Sequence, residues 1–312
     1  MSSHQPSPAA ANGRGAITIP TLQNAAMSVP VLPFYPAVPP ISLELTNRCN
    51  LKCPYCANGT LTRPSGTIAW SLLERLIEQC AGGPKQIDWL HGTGEPLLWS
   101  RLEDVIRLIR GRDAGAASFA TNATLLTADR VESLLAAGLG SIYISLDSLD
   151  ERIYAATRGG KLETVIGNIR TMLSIVPGDF TVTIALMNHK DQRLTPGDID
   201  RCHEIFGPAP RIKVNVVETG IMPSARADYR LHRQKVATCS LPNEYFFIAH
   251  DGRVALCCSD QDVAHPIGDT NVDSIDEIWF KPSNQAIFRS IGLGLRGCPE
   301  FCTAQCHLKT PA

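Results

Sequence analysis

Short apolar, β-branched runs alternate with longer amphipathic runs from residue 41 to residue 217. The short runs predict six strands, because brief apolar runs bounded by turn residues are typical of buried strands. These strands are Ile41–Leu45, Ile87–Leu90, Ser118–Ala120, Ser141–Ser145, Val182–Leu186 and Ile212–Val217. The amphipathic runs predict the five helices Ser71–Cys80, Leu102–Arg110, Ala128–Ala136, Leu162–Ile175 and Pro196–Phe206.

The alternation of six strands with five helices predicts an α/β fold with a parallel sheet. Six units are fewer than the eight that close a barrel, so we expect a partial (β/α)6 barrel over residues 41–220. In such folds the loops that follow the carboxyl ends of the strands build the site. Unusual polar motifs follow the first four strands and are therefore expected to share one end of the sheet. They are Cys49–Cys56, His91–Pro96, Thr121–Thr124 and Leu146–Ser148.

The chain on either side of this barrel has a different composition. Residues 1–40 contain eight of the 22 prolines and one charged side chain, Arg14, which predicts a disordered Pro/Ala-rich tail. The alternative is an extended arm that packs Phe34 and Tyr35 against the body. Residues 221–312 contain six of the 11 cysteines and are expected to form a small C-terminal domain.

Charge and hydropathy exclude several classes of protein. The 29 basic and 30 acidic side chains give a net charge of −1, so the chain lacks the positive charge typical of proteins that bind nucleic acid or anionic membranes. No apolar run reaches the roughly 18 residues of a membrane span, and the first 40 residues lack the charged segment of a secretory signal. We therefore expect a cytoplasmic protein whose clustered thiols bind metal rather than form disulfides.

Three of the cysteines lie close together after the first strand. The spacing Cys49-x3-Cys53-x2-Cys56 sets three thiolates on one loop, and thiolates select zinc, copper(I) or iron–sulfur clusters. A structural zinc site needs four ligands and no fourth lies nearby, whereas a four-iron cluster with three cysteines leaves one iron open to a small molecule. The alternative is a set of loop cysteines completed by a distant partner such as His91.

The residues Cys49-Asn-Leu-Lys-Cys53-Pro-Tyr-Cys56 resemble the signature of the radical S-adenosylmethionine (SAM) superfamily, including the aromatic residue before the third cysteine. The other polar motifs resemble that family in order and placement over about residues 41–220. The resemblance implies that Cys49, Cys53 and Cys56 hold a [4Fe-4S] cluster. It also implies that SAM binds against Tyr55, Gly92, Thr93, Gly94, Glu95, Asn122, Ser145 and Asp147.

Physical reasons support several of the implied SAM contacts. Gly92 and Gly94 allow the backbone to approach a ligand closely. Glu95 can offset an ammonium charge, and Asp147 can accept hydrogen bonds from vicinal ribose hydroxyls. The alternatives are a solvated loop carboxylate for Glu95, a turn or cap for Asp147 and core packing for Tyr55. The chemistry implied by the family is cleavage of SAM to a 5′-deoxyadenosyl radical, which takes a hydrogen atom from the substrate.

The C-terminal cysteines begin with a Cys-x12-Gly-x4-Cys segment from Cys239 to Cys257. This segment resembles the start of the SPASM and twitch extensions, which hold auxiliary iron–sulfur clusters. Residues Ala249–Leu256 predict a hairpin that turns at Asp251-Gly252, and Ser274–Phe280 predicts a short helix. Six cysteines are too few for two fully ligated four-iron clusters, so we expect one auxiliary [4Fe-4S] cluster, with a structural zinc as the alternative. The expected ligands are Cys239, Cys257 and two of Cys298, Cys302 and Cys306.

Cys258 directly follows one of these expected ligands. Adjacent residues on a strand point in opposite directions, so Cys258 is expected to face the substrate cavity if Cys257 faces the cluster. A thiol in that position can donate a hydrogen atom to a substrate radical. The alternatives are a spare core thiol and a replacement ligand. Cys80 and Cys202 fall on predicted helices and are expected to be buried and inert.

The extra thiol, the compact size and the single expected auxiliary cluster resemble radical SAM enzymes that act on sugars and aminocyclitols in antibiotic pathways. We therefore expect epimerisation of an amino sugar or aminoglycoside, with Cys258 as hydrogen donor and acidic residues such as Glu218 or Asp228 near the cavity. The alternatives are dehydrogenation of an aminocyclitol or alcohol through the auxiliary cluster, maturation of a ribosomal peptide, and a non-catalytic scaffold. The expected partners are a small-molecule, sugar-like substrate and a reductant such as ferredoxin or flavodoxin, with no nucleic acid and no membrane.

Overall fold

Six strands and the helices between them occupy residues 41–218 of the computed structural model, which describes residues 34–188, 192–208, 211–218, 237–295, 300 and 302. The strands are β1 (Ile41–Leu43), β2 (Ile87–Trp89), β3 (Phe119–Thr121), β4 (Ser141–Asp147), β5 (Thr181–Asn188) and β6 (Ile212–Glu218). The helices are α1 (Trp70–Glu78), α2 (Leu102–Gly111), α3 (Ala128–Ala136), α4 (Glu151–Arg158), α5 (Leu162–Ile175) and α6 (Pro196–Phe206). All six predicted strands and all five predicted helices are present, and α3, α5 and α6 have the predicted bounds.

Strands β1 to β6 follow one another in space and run parallel. β1 pairs with β2, and β3, β4, β5 and β6 pair in chain order. The two groups are joined where Leu90 N donates to Ser118 O at 2.8 Å and Ser118 N donates to Asp88 O at 2.9 Å. The predicted α/β fold with a partial barrel is confirmed, and the carboxyl ends of the strands lie at one edge.

The amphipathic helices pack their apolar sides on this sheet. In α1 the buried residues are Leu72, Leu73, Leu76 and Ile77. Burial of each such side chain contributes about 1.5–3 kcal/mol relative to exposure, so the four residues together fix the helix on the sheet. The helix ends at Glu78, two residues before the predicted end.

Helix α4 was not predicted from the sequence. It has eight residues, follows β4 almost directly, and carries few apolar positions from which to recognise a helical period. Its ends are nevertheless well defined. Asp150 Oδ1 accepts a hydrogen bond from Ile153 N at 2.9 Å, and Gly159 follows the helix with a φ of +78°. This helix brings Arg158 to the site described below.

The C-terminal region adds three short strands beside β1. They are β7 (Phe246–Ile248), β8 (Arg253–Ala255) and β9 (Pro266–Asp269). β7 and β8 form the predicted antiparallel hairpin, in which Gly252 has a φ of +93° that favours glycine. Pairing of β7 with β1, in parallel, was not predicted. The C-terminal strands therefore extend the same sheet that contains β1 and β2, and a domain boundary at residue 220 stays a prediction.

Two helices, α7 (Ile275–Phe280) and α8 (Pro282–Leu293), complete the described fold. α7 is the predicted short helix, and the Ser274 side chain caps it. Tyr35 stacks on Trp279 at 6.2 Å between ring centroids and also contacts Phe288, which agrees with the packed-arm alternative for this part of the chain. None of the helices within the described ranges has the length and apolar character needed to cross a membrane.

Candidate active site

A cavity of about 430 Å³ lies at the carboxyl ends of the strands. β4 lines it with Tyr143, Ser145 and Asp147, because side chains two positions apart along a strand share a face. Further lining residues come from the cysteine loop after β1, the glycine-rich loop after β2 and Asn122 after β3. The polar motifs that follow the first four strands therefore meet in one cavity, as the barrel prediction requires.

The loop after β1 brings Cys49, Cys53 and Cys56 to the cavity wall. The backbone amides of Leu51 and Asn58 donate to Cys49 Sγ and Cys56 Sγ, each at 3.4 Å. Burial raises the pKa of Cys49 to about 11 and also raises the pKa of Cys56. Cys49 and Cys56 therefore need a positively charged partner, such as iron, to become thiolates at neutral pH.

The number of these thiols suits a four-iron cluster with one open site. Three cysteines that line one cavity can each ligate one iron and leave the fourth iron open to a small molecule.

The glycine-rich loop packs closely against the chain that follows β1. A Cβ atom at Gly92 would lie 2.6 Å from Glu44 Oε1. A Cβ atom at Gly94 would overlap Thr46 O and lie 2.8 Å from Arg48 O. Packing within the protein therefore requires both glycines, whereas the sequence argument attributed them to ligand approach. Both glycines and the threonine between them line the cavity, and their contact with SAM stays a prediction.

We expect Gly94→Ala to weaken SAM binding by about tenfold or more, equivalent to about 1.4 kcal/mol. The new methyl group would meet backbone oxygens of Thr46 and Arg48, which cannot rotate away, so the loop must move. Titration of the reconstituted protein with SAM checks this expectation. Gly167→Ala is the control, because it lies on an exposed side of α5 with no atom within 4 Å of the added Cβ. Equal SAM affinity in the two variants would contradict the expectation.

Glu95 connects the glycine-rich loop to the loop after β3. Its side chain is buried and accepts hydrogen bonds from Thr121 Oγ1 and Asn122 N, both at 2.8 Å. Burial raises the pKa of Glu95. Asn122 Nδ2 in turn donates to Asn50 Oδ1 at 2.9 Å, next to Cys49. These bonds hold three loops around the cavity, and the alternative of a solvated loop carboxylate for Glu95 is wrong.

Asp147 forms a buried ion pair with Arg158, which the sequence analysis missed. Arg158 Nε and Nη2 each donate to one carboxylate oxygen at 2.6 Å, and the Tyr55 hydroxyl donates to the same carboxylate. Although burial lowers it, the charge of Asp147 holds the pKa of Arg158 well above its usual range. The sequence does contain a signal for the helix that carries Arg158, because Asp150 and Gly159 are residue types typical of a helix start and a helix end. Ribose binding by Asp147 stays a prediction. The Asp147 carboxylate is already paired with Arg158 in this structure.

The backbone turns Asp147 toward the cavity. The register between β4 and β5 shifts between Ser145 and Asp147, and Asp147 has a φ of +68°. Such irregularities re-aim side chains and are common at functional sites. Ser145, the other residue predicted on this strand, also lines the cavity.

The adjacent thiols Cys257 and Cys258 have different surroundings. Cys257 is buried in the hydrophobic core, whereas Cys258 lines the cavity that also contains the three clustered thiols. The predicted cause of this difference, the alternation of side chains along a strand, does not apply. β8 ends at Ala255, and both cysteines lie in the bend that follows. The roles expected of these two thiols stay predictions.

The remaining predicted residues differ in how much the structure says about them. Cys239 is partly buried, and Cys302 is buried. Cys80 and Cys202 are each 0% exposed, as expected for inert core thiols. Glu218 ends β6. Cys298, Cys306 and Asp228 lie outside the described residues.

The family model of the radical SAM superfamily matches residues 43–194. This range contains the three clustered cysteines and all the residues predicted to contact SAM. The matched residues are a radical SAM domain. A second model, the SPASM iron–sulfur cluster-binding domain, matches residues 239–307. The predicted cofactors are thereby confirmed, since the two domains imply a SAM-binding [4Fe-4S] cluster, auxiliary iron–sulfur binding and SAM. This assignment selects SPASM from the two extension types named above.

Curated relatives of the radical SAM domain match the chain over part of its length. A probable GTP 3′,8-cyclase from Methanocella arvoryzae is 36% identical over 139 residues, 43% of this chain and 43% of the relative. An AdoMet-dependent heme synthase from Methanosarcina barkeri is 35% identical over 136 residues, 42% of this chain and 38% of the relative. The chain therefore spans less than half the length of either relative.

Solved structures share the fold over a larger part of the chain. BtrN in complex with AdoMet and 2-DOIA matches with a TM-score of 0.58 and 17% identity, covering 88% of this chain and 97% of that one. SuiB from Streptococcus suis, bound to precursor peptide SuiA, matches with a TM-score of 0.64 and 13% identity, covering 81% and 67%. At these identities the comparison concerns the fold alone.

Proposed function

We propose that this radical SAM enzyme epimerises an amino sugar or aminoglycoside, with Cys258 as hydrogen-atom donor, a reaction type like that of neomycin C epimerase. The observation that supports the proposal is the location of Cys258. Its side chain lines the cavity that contains Cys49, Cys53 and Cys56, while its neighbour Cys257 is buried. A thiol in that location is available to a radical formed on a bound substrate.

The chain's own residues have distinct parts in this reaction. Cys49, Cys53 and Cys56 would hold the cluster, and the glycine-rich loop would hold SAM. When bound, these cofactors supply a 5′-deoxyadenosyl radical that removes one hydrogen atom from the substrate. The Cys258 S–H bond then breaks as a new C–H bond forms on the opposite face of the substrate carbon. One electron from a reductant of the ferredoxin or flavodoxin class and one proton from solvent restore the thiol.

The described cavity wall also supports a sugar-like substrate. Its carboxylates, Glu95 and Asp147, already accept hydrogen bonds within the protein, and Arg158 is paired with Asp147. Trp89 lies perpendicular to Tyr143 at 6.2 Å between ring centroids, and both line the cavity. Aromatic rings beside compensated charges suit the apolar faces of a hydroxylated ring.

His91 adds a neutral polar group to this wall. Burial lowers the pKa of His91 to about 4, and its Nδ1 atom is buried without a hydrogen-bond partner among the residues that the structure describes. A neutral imidazole can exchange hydrogen bonds with hydroxyl groups and adds no charge to the cavity. A sugar-like substrate, a reductant of the named class and a cytoplasmic location are parts of the same proposal.

We expect Cys258→Ala to lose epimerised product while it still releases 5′-deoxyadenosine, because the variant forms the substrate radical but has no thiol to quench it. Reconstituted wild type and variant are assayed with SAM, a reductant and a panel of aminoglycosides and aminocyclitols. Cys202→Ala, which removes a thiol buried in α6, is the control and should retain activity. Full epimerisation by Cys258→Ala would reject the role of the thiol. A ketone product from wild type would favour dehydrogenation, and turnover of a peptide alone would favour the maturase alternative.

A further inference from the structure

Glu44, Arg63 and His250 form a buried network next to the cavity, which we call the positioning network. Their side chains are 0%, 1% and 7% exposed. Arg63 Nη1 and Nη2 donate to Glu44 Oε2 and Oε1 at 2.5 and 2.7 Å. His250 Nδ1 lies 3.1 Å from both Glu44 Oε2 and Arg63 Nη1. The network therefore contains a two-point ion pair with an imidazole against its edge.

Stability alone does not account for charges at this depth. Burial raises the pKa of Glu44, but hydrogen bonds from His250 and Arg63 and the arginine charge outweigh it and hold that pKa well below its usual range. The carboxylate is therefore ionised, and ionised groups lose much hydration when they are buried. Apolar residues of similar volume often stabilise a fold as well or better. What a guanidinium–carboxylate pair adds is fixed geometry, because its two parallel hydrogen bonds set both distance and orientation.

On one side the network holds the glycine-rich loop. Thr93 N and Thr93 Oγ1 donate to Glu44 Oε1 at 3.1 and 2.9 Å. Arg63 Nη2 also donates to Thr93 Oγ1 at 3.2 Å. Thr93 lines the cavity between the two glycines, so the network is bonded directly to the loop expected to bind SAM, mainly through Glu44.

On the other side the network holds the segment that follows Cys258. Arg63 Nε donates to Gln261 O at 2.8 Å, and Gln261 lines the cavity. Asp262 Oδ1 accepts hydrogen bonds from Thr62 N at 2.8 Å and Arg63 N at 3.1 Å. The same guanidinium thus bonds to the glycine-rich loop and to the chain three residues after Cys258.

We propose that Arg63 is a positioning residue that sets the SAM-binding loop and the Cys258 segment at a fixed distance across one cavity. Occupation of the loop by SAM then restrains the Cys258 segment through Thr93, Arg63 and Gln261. The proposal rests on the proposed function only for the role of Cys258. The coupling itself is measured without any substrate.

Amide hydrogen exchange of the reconstituted enzyme, with and without saturating SAM, tests this coupling. In wild type we expect SAM to slow exchange both at residues 92–95 and at residues 257–263. Arg63→Lys keeps the charge but cannot make the two-point pair. In that variant we expect SAM to protect residues 92–95 still, while the protection of residues 257–263 falls by roughly tenfold. Arg75→Met is the control, because Arg75 Nη2 also bonds to the C-terminal region, at Thr270 O, but lies outside the network.

A second variant guards against failure of the first to fold or to bind SAM. Asp262→Ala removes the bonds to Thr62 and Arg63 from a more exposed position, and we expect a smaller loss of protection in the same segment. Unchanged protection of residues 257–263 in both variants would overturn the proposal, as would an equal loss in Arg75→Met. If coupling is lost as expected but Cys258→Ala epimerises normally, the proposed function fails while this inference stands.

Discussion

Replacement of Cys49, Cys53 and Cys56 with alanine is expected to remove about four iron atoms per chain and all release of 5′-deoxyadenosine. The three thiols lie on one loop, line one cavity and have the donor chemistry that iron–sulfur clusters require. Without the cluster no electron reaches the sulfonium of SAM, so no residual cleavage is expected. Iron and sulfide analysis, together with chromatography of the nucleoside product, measures both effects.

The triple variant retains the C-terminal cysteines, so its remaining iron reports the auxiliary site. We expect that remainder to match one [4Fe-4S] cluster, the number predicted from six cysteines. Cys80→Ala is the control, because Cys80 is buried in the hydrophobic core and is not among the described residues that line the cavity. Cleavage of SAM by the triple variant, or unchanged iron content, would contradict the assignment.

Arg158→Met is expected to lower the free energy of unfolding by about 3–5 kcal/mol, because it leaves the Asp147 carboxylate buried without its charged partner. The Arg158 and Asp147 side chains are 10% and 2% exposed, so water replaces the lost bonds only in part. The shift in the midpoint of urea unfolding, relative to wild type, measures the loss. The same variant should also lose activity, since both residues line the cavity.

Two controls distinguish the effect of burial on stability from the effect of losing an ion pair. The double variant Asp147→Asn/Arg158→Met removes both charges and should recover part of the stability. Arg112→Met breaks a pair with Glu78 whose side chains are 51% and 66% exposed, and should cost about 1 kcal/mol or less. Equal effects of Arg158→Met and Arg112→Met would contradict this interpretation of the buried pair.

The sequence predicted those parts of the fold in which local pattern and tertiary packing agree. Alternating strands and helices gave the parallel sheet, and the strand ends located Cys49–Cys56 and Ser145 in one cavity. Motif spacing was sufficient because residues on the same loop or the same strand remain neighbours in any version of this fold. Helix α4 was missed, since its eight residues are too few and too polar to show a period.

Contacts between residues distant in the chain could not be read from local pattern. Pairing of β7 with β1 depends on backbone N–H and C=O groups, which every strand possesses. Glu44, Arg63 and His250 are separated from one another by up to 206 positions in the sequence and belong to no motif with a fixed spacing. The packing reason for Gly94 was equally hidden, because the atoms that a Cβ would meet are backbone oxygens of another loop.

The most direct test of Cys258 as hydrogen donor is mass spectrometry of the epimerised product formed by wild type in D2O. The thiol exchanges its proton with solvent, so the account predicts one non-exchangeable deuterium per molecule, at the inverted carbon. A product that is inverted without deuterium, or one that has lost two hydrogens to become a ketone, would contradict it.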